Sequence, residues 1–426
     1  MTDLNRLTAV QAAQQISAGK LKSEDLVRAC LDRIRERDAD VRAWVHLDPD
    51  LAISQARAVD RQGNHGALAG VPVGVKDVIE TADMPTQCNS PIYRDFRSRA
   101  DAACVAMVRR AGGIILGKTV TTEFASRMSG PTRNPHNLAH TPGGSSSGSG
   151  AAVADFMVPF AFGTQTGGST IRPAAYCGIV GYKPSFGTIN CAGLKHLAES
   201  LDTIGVLGRS VADCALLVHA ASSRSFPDLT RTLPRAPRVG LCRTSRWQDA
   251  TPETQALLEQ TASALATSGA TVSEVALPEN FDRLYEDQLL IMNYEAARAL
   301  AWEYSNHADL LSDYMRATLQ KYREMPRQSY AEAMRHAREC RARFSQMMTN
   351  YEVLLTPSAP GEAPAGIDDT GNSLFNRNWT LLGLPCVTIP AGRSPTGLPL
   401  GVQVVGDYDT DERVLECAEW ISQTLL

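Results

Sequence analysis

Residues 163–178 read GTQTGGSTIRPAAYCG, and a second run of small residues, GGSSSGSG, precedes them at positions 143–150. Both runs combine glycines with hydroxyl side chains. A flexible linker is the simplest interpretation, because glycine and serine are the usual residues of linkers. A site built on backbone amides and hydroxyl groups is the alternative, and the surrounding sequence is needed to choose between them.

The sequence on either side of the two runs alternates between helix and strand patterns. Thr8 and Gln11 form a capping box before a helix that should end near Gly19, and buried-strand patterns follow at 71–80 and 113–119. Strand patterns return near the C-terminus in YEVLLTP, PCVTIP and LGVQVV. Strands at both ends of the chain can share one sheet. We therefore expect a single α/β domain over residues 1–426, with a central mixed, twisted sheet covered by helices on both faces.

Three regions are predicted within this domain: N-terminal helices (1–60), a catalytic core (61–220) and a helical, cap-like segment (281–350). The cap-like segment consists of two long helical patterns, 281–320 and 329–350, with no strand pattern between them. Residues 222–237 are rich in Ser, Pro and Arg and are interpreted as a surface connection. Further helices are predicted over 23–38, 100–111 and 252–268, and from residue 410.

The composition restricts the possible partners and the cellular compartment. The 426 residues include 46 acidic and 42 basic ones, for a net charge of -4, and no block of Lys or Arg is present. Binding to nucleic acid or to an anionic membrane is therefore not expected. The N-terminus lacks a secretory pattern, no apolar run approaches the roughly 20 residues of a bilayer span, and the ten cysteines are scattered singly. These features predict a cytoplasmic protein without a metal site.

Three short motifs are weak matches to known sites. The segment GSSSG, which begins at Gly144, matches the nucleophile elbow of α/β-hydrolases, but turn-forming residues precede it where that motif requires a strand. Ser17 and Lys20 match S-x-x-K at the end of the first predicted helix. No lysine follows the glycines of 163–169, so a phosphate-binding loop is excluded.

A lysine is a better candidate for a general base than a histidine. His136 and His140 are the histidines nearest to the two runs, and both are expected to brace a polar loop. Lys76 follows alternating valines in a strand pattern, and burial can keep a lysine neutral by lowering its pKa. A salt bridge to Asp77 is the alternative for Lys76. Lys118 is a similar case, with either a structural role or a place near the site.

Several segments together resemble the amidase signature family. They are GVKD around Lys76, PGGSSSGSGAAVA at 142–154 and GTQTGGSTIRPAAYCGIVGYKPSFG at 163–187. The likeness continues in NRNWTLLGLPCVTIP and LPLGVQVVG, and the spelling is most similar to malonamidase-like and carboxybiuret-hydrolase-like amidases. The resemblance implies a triad of Ser169, Ser145 after a cis peptide bond, and Lys76. It also implies amide hydrolysis through an acyl-enzyme on Ser169, with Ser145 relaying a proton to neutral Lys76 and no cofactor.

The two glycines before Ser169 suggest an oxyanion hole. Because Gly167 and Gly168 have no side chains, backbone N–H groups can converge beside the Ser169 hydroxyl. Thr166, Gly167 and Gly168 are the expected donors. The remaining serines of the earlier run are expected to brace their loop by hydrogen bonds rather than transfer protons; these are Ser146, Ser147 and Ser149.

Substrate-binding candidates are Arg172, Gln165 and Ser146. In malonamidase-like enzymes an arginine in the position of Arg172 holds a substrate carboxylate, and an internal ion pair is the alternative. Gln165 stands where many family members have an Asp. The segment 84–93 is expected to line the pocket, and so are residues near Asn376 and Trp379, although ordinary packing is the alternative for all of them.

Three functions follow as hypotheses. The first is an amidohydrolase for a small amide, such as one carrying a carboxylate, that functions alone or as a homodimer. The second is an ammonia-supplying amidase component of an amidotransferase complex, similar to the amidase component of glutamyl-tRNA amidotransferase. The third, a non-catalytic scaffold, would not require lysine, serine and paired glycines in this arrangement.

Overall fold

The computed structural model describes residues 3–63, 66–222, 224, 229 and 236–425. These residues contain eleven strands and fourteen α-helices. The strands β1 to β11 are, in order, Trp44–Leu47, Pro72–Lys76, Ile114–Thr119, Phe160–Gln165, Val180–Lys183, Thr203–Gly208, Arg238–Leu241, Thr271–Glu274, Val353–Pro357, Cys386–Arg393 and Pro399–Val405. The helices α1 to α14 are Ala9–Ser17, Ser23–Val41, Pro49–Gln62, Ala103–Arg110, Ser147–Ala154, Ile171–Cys177, Val211–Ser222, Pro252–Thr267, Leu284–Ala299, Ala301–His307, Asp313–Arg323, Arg327–Met348, Leu374–Leu381 and Asp411–Leu425.

All eleven strands form one sheet in the order β1-β3-β2-β4-β6-β5-β10-β11-β9-β7-β8. Strands β3, β2 and β4 are mutually parallel, as are β9, β7 and β8, whereas the strands between these two groups pair antiparallel. The C-terminal strands β10 and β11 therefore join the two halves of the sheet. This arrangement confirms the predicted single α/β domain with a mixed sheet.

Helices cover both faces of this sheet, and strand β6 shows how. A Cβ atom added at Gly205 would lie 2.5 Å from the Thr170 hydroxyl at the start of α6, whereas one added at Gly208 would lie 3.0 Å from the Cβ atom of Asp213 in α7. Positions three residues apart in a strand point to opposite faces. Helices α6 and α7 therefore lie on opposite sides of the sheet, as predicted.

The N-terminal helix follows its sequence pattern. The Thr8 hydroxyl accepts a hydrogen bond from the Gln11 amide, the Gln11 side chain accepts one from the Thr8 amide, and the helix ends two residues before Gly19. The predicted helices at 23–38, 100–111, 252–268 and from 410 correspond to α2, α4, α8 and α14. Among the described helices, none has the length and apolar character needed to cross a bilayer.

The helix predicted over 281–320 is wrong as a single element, because the chain forms α9, α10 and α11 there. Leu300 separates the first two with a non-helical ψ of 24°, and Ser312 caps α11 by accepting a hydrogen bond from the Met315 amide at 3.2 Å. The predicted helix at 329–350 is α12. Helix α9 packs against α11, α12 and α13. The cap-like role of 281–350 stays a prediction, and the connection at 222–237 lies mostly outside the described residues.

Candidate active site

Lys76 is the last residue of β2, a strand in which all five residues are buried. Its Nζ atom lies 2.7 Å from the Oγ atom of Ser145 and 2.7 Å from the Oγ1 atom of Thr164. No carboxylate pairs with Lys76 in the described part of the chain. Burial holds the pKa of Lys76 well below its ordinary value of 10.5; the charge of Asp202 opposes this shift and that of Arg172 adds to it. A neutral amine in this position can accept a proton.

Ser145 follows a cis peptide bond with Gly144, as the resemblance implied. Gly143, two residues before Ser145, has a φ of +82°, and a Cβ atom there would lie 2.9 Å from the Cα atom of Pro173. Glycine is therefore the residue that fits at position 143. The amide of the next residue, Ser146, donates a hydrogen bond to the carbonyl oxygen of Ser169 at 3.3 Å, so the two glycine-rich segments lie side by side.

Ser169 lies in the turn between β4 and α6, and this turn has free backbone donors. The amides of Thr166, Gly167, Gly168 and Ser169 have no hydrogen-bond acceptor among the described residues, and neither does the Ser169 hydroxyl. All four residues line one cleft. Buried amides are nearly always paired in folded proteins, so an unpaired group of them beside a hydroxyl is suited to receiving a negatively charged oxygen.

Side chains from distant segments form hydrogen bonds with the backbone carbonyls of the same turn. The Gln288 side chain on α9 donates to the Thr166 carbonyl at 2.8 Å, and the Thr380 hydroxyl on α13 donates to the Gly167 carbonyl at 2.7 Å. The Thr166 hydroxyl donates to Asp202 at 2.5 Å. These contacts fix the carbonyls of the turn, whereas its amides have no acceptor among the described residues.

The cleft has a volume of about 650 Å³. Its walls come from the turn before α6, from α9 and α11 in the helical segment, and from residues 369–373 before α13. In the described residues, no group of three or more His, Cys, Asp or Glu side chains is arranged to hold a metal ion.

Arg172 on α6 also lines the cleft, but it has no carboxylate partner in the described part of the chain. Its Nη2 atom donates to the Gly144 carbonyl at 2.6 Å and to the Thr370 hydroxyl at 3.0 Å, while its buried Nε has no partner there. Burial lowers the pKa of Arg172 to about 10, so the guanidinium stays charged near neutral pH. The alternative of an internal ion pair is therefore not observed.

Gln165 and Ser146 do not line the cleft, so their assignment as substrate-binding residues needs correction. The Gln165 side chain is fully buried; its oxygen accepts hydrogen bonds from the Thr170 and Ile171 amides at 2.9 and 3.1 Å. The Ser146 hydroxyl donates to the Thr164 carbonyl at 3.2 Å and accepts from the Thr164 amide at 3.1 Å. Both side chains have used their hydrogen-bonding capacity to fix the segments around the site.

Other residues that the sequence indicated lie in packing positions. Ser147 donates to the carbonyl of Val120, just after β3, at 3.3 Å, and Ser149 donates to that of Phe162 in β4 at 2.8 Å. Asn376 and Trp379 are buried, and neither they nor the segment 84–93 lines the cleft formed by the described residues. The ring nitrogens of both loop histidines contact backbone carbonyls at 2.9 and 2.8 Å; these are His136 and His140.

Sequence patterns did not identify four residues near the cleft: Thr164, Gln288, Arg377 and Asp369. Thr164 is part of the quoted run, but nothing in its local sequence indicates a contact with Lys76. Gln288 and Arg377 belong to helices that are more than 100 residues away from Ser169 in the sequence. Only the packing of α9 and α13 brings them to the cleft, so no local signal could have shown it.

The comparisons with known proteins agree with this fold. A family model described as Amidase matches residues 25–415, so the chain belongs to the amidase family, the amidase signature family that its motifs resemble. Solved structures with the same fold include a crystal structure of an amidase, with 28% identity, a TM-score of 0.90 and coverage of 99% of this chain and 100% of that one. A peptide amidase from Stenotrophomonas maltophilia has 29% identity, a TM-score of 0.84 and coverage of 99% and 97%. The chain is therefore an amidase signature hydrolase.

Curated relatives of the chain include subunits of an amidotransferase. The A subunit of glutamyl-tRNA(Gln) amidotransferase from Acidothermus cellulolyticus is 34% identical, with 97% of this chain and 93% of that protein covered. Its counterpart of the same name from Mycobacterium tuberculosis is 33% identical, with coverage of 97% and 96%. Both relatives are named as subunits of an amidotransferase.

Proposed function

We propose that the chain cleaves a small carboxamide through an acyl-enzyme on Ser169. The observation that carries this proposal is the fully buried Lys76 amine, which has no carboxylate partner among the described residues and lies 2.7 Å from the Ser145 hydroxyl. A buried lysine without such a partner is costly in its charged form, so it is available as a base.

In the proposed reaction, the Ser169 oxygen attacks the carbonyl carbon of the amide. The Ser169 proton passes to Ser145, which gives its own proton to the Lys76 nitrogen. The amides of 166–169 stabilise the resulting oxyanion. Collapse of the tetrahedral intermediate breaks the C–N bond, and the leaving nitrogen takes the proton back through Ser145. Water then attacks the ester by the same route and releases the carboxylic acid and free Ser169.

Two functions share this chemistry. One is hydrolysis of an amide that carries a carboxylate, with ammonia or an amine released to solvent, and Arg172 as the carboxylate-binding group. The other is release of ammonia from glutamine for a partner protein, which is supported by the names of the curated relatives.

The charges in the cleft support the first function. Among the described residues that line the cleft, Asp369 is the only carboxylate, and it already pairs with Arg127 at 3.1 Å. The α-ammonium group of glutamine would therefore meet no unpaired carboxylate. An amide with a carboxylate and no ammonium group matches these surroundings better.

The first experiment compares Ser169→Ala with the wild type and with Ser263→Ala, which changes an exposed serine of α8. Ammonia release is measured with three kinds of amide: monoamides of dicarboxylic acids, neutral aliphatic amides and glutamine. We expect activity on the monoamides in the wild type and in Ser263→Ala, and a loss of about 10⁴-fold or more in Ser169→Ala. A folded Ser169→Ala protein with wild-type turnover would overturn the assignment of the nucleophile.

The same panel separates the two functions. Preference for a monoamide over glutamine in the purified chain supports the free-standing hydrolase. Glutamine hydrolysis that requires a copurifying protein supports the ammonia-supplying role instead.

A further inference from the structure

A second arginine, Arg377 on α13, lines the same cleft as Ser169 and Arg172. Its Nε atom donates to the Ser373 hydroxyl at 3.1 Å, which fixes the plane of the guanidinium group. Neither Nη group of Arg377 has a hydrogen-bond partner among the described residues, and no carboxylate there pairs with the side chain. Burial lowers the pKa of Arg377, and the charges of Arg127 and Arg246 act in the same direction.

The cleft therefore has an excess of positive charge with free hydrogen-bond donors. The charged side chains among its described lining residues are Arg127, Arg172, Arg377 and Asp369. Since Asp369 pairs with Arg127, two guanidinium groups are left without an internal anion. Two unpaired cations in a partly buried cleft repel each other and lose hydration, so an anion that contacts both would relieve the cost.

We infer that Arg377 is a specificity-determining residue that binds the substrate carboxylate together with Arg172. This inference rests on the proposed function and adds a second donor group to it. Arg172 offers its Nη1 atom, because its Nε atom is buried and its Nη2 atom is already bonded to the Gly144 carbonyl and the Thr370 hydroxyl. Arg377 offers both Nη groups. A carboxylate has two oxygens and can accept hydrogen bonds from two guanidinium groups at once.

The test measures binding separately from turnover. Malonate, succinate and glutarate, which resemble the product acids, are titrated by calorimetry into the wild type, Arg377→Gln and Arg377→Lys. The matched control is Arg35→Gln, which removes the same charge from an exposed arginine that pairs with Asp32 on the surface of α2. Thermal unfolding of each variant verifies that it is folded.

We expect at least one dicarboxylate to bind the wild type and Arg35→Gln with similar affinity. Arg377→Gln should weaken that binding by about 10-fold to 100-fold, the range for losing hydrogen bonds to a charged group. Arg377→Lys should recover part of the loss, because it keeps the charge but not the planar fork. In turnover, Arg377→Gln should raise KM for monoamides of dicarboxylic acids and change kcat/KM for neutral amides by less than about 3-fold, because the contact is made to the carboxylate alone.

Three results would overturn the role of Arg377, and a fourth would separate it from the proposed function. Dicarboxylate binding that is equal in the wild type and folded Arg377→Gln would overturn the inference, as would the absence of saturable binding to the wild type. Equal losses for anionic and neutral amides would overturn it as well. If binding depends on Arg377 but no amide is hydrolysed, the inference stands and the proposed function fails.

Discussion

Two buried lysines on neighbouring strands have different surroundings and, we propose, different roles. Lys76 ends β2 and Lys118 lies near the end of β3, and both side chains are completely buried. Lys118 forms an ion pair with Asp77 at 3.0 Å and donates to the Thr86 hydroxyl at 2.6 Å and the Pro85 carbonyl at 3.1 Å. Among the described residues, the polar partners of the Lys76 amine are hydroxyl groups.

The difference in hydrogen-bond and ion-pair partners favours different protonation states for the two lysine amines. Burial lowers the pKa of both lysines, but the carboxylate of Asp77 opposes this effect directly at Lys118. At Lys76 the opposing charge belongs to Asp202, which does not pair with the lysine. A buried lysine beside a carboxylate is held as an ammonium group, whereas one beside hydroxyl groups is available as a neutral base.

Removing the amine of Lys76 is expected to have the largest effect. Lys76→Met should lower kcat by about 10⁴-fold to 10⁶-fold, the range found when one member of a catalytic triad is lost. The matched variant Lys118→Met should keep kcat per folded molecule within about 10-fold, because Lys118 contacts no group of the proposed proton route. Ammonia release from a monoamide, normalised to folded protein, measures both. Equal losses in the two variants would remove the distinction between the lysines.

Removing Lys118 should instead lower stability. Lys118→Met leaves the Asp77 carboxylate buried without its cation, so we expect the free energy of unfolding to fall by about 3–5 kcal/mol. The double variant with Asp77→Asn should recover part of that loss, since the uncompensated charge is then gone. Urea unfolding measures all three proteins. A Lys118→Met protein as stable as the wild type would show that the buried ion pair contributes nothing.

Much of this comparison could be predicted from the sequence, but the partner of Asp77 could not. Alternating valines before Lys76 indicated a buried strand, and a salt bridge to the adjacent Asp77 was the alternative role. In the structure Lys118 lies beside Val75, two residues before Asp77, so Lys118 and Asp77 point to the same face of the sheet. Consecutive residues point to opposite faces. Strand pairing, which is not a local property, therefore decides which lysine has the carboxylate.

The remaining differences between sequence and structure have the same origin. The capping signal of α1 is local and predicts the helix correctly, whereas the break at Leu300 inside the predicted helix has no such signal. Gln165, which stands where many members of the family have an Asp, is a substrate-binding candidate in the sequence. Its side-chain oxygen is instead occupied by the amides that begin α6. Arg377 follows Ser169 by more than 200 residues and reaches the cleft only because α13 packs there.

The smallest expected effect concerns the second hydroxyl that contacts Lys76. A hydroxyl oxygen accepts a stronger hydrogen bond from the ammonium form of lysine than from the amine, so Thr164 favours the charged form. Thr164→Val should therefore lower the pKa of Lys76 further. Because the proposed base is the neutral amine, kcat/KM rises with pH as Lys76 loses its proton, and this rise should move to lower pH in the variant.

The measurement is the pH dependence of kcat/KM for Thr164→Val beside that for Thr356→Val. Thr356 is buried on β9, and its hydroxyl has no hydrogen-bond partner among the described residues, so its replacement leaves Lys76 unaffected. We expect kcat/KM at the plateau to fall by about 10-fold or less in Thr164→Val, because one of two contacts that position the amine is lost. A rise that stays at the wild-type pH, or moves to higher pH, would mean that Lys76 is not the group whose titration limits the reaction. The hydroxyl surroundings that separate Lys76 from Lys118 would then have no catalytic consequence.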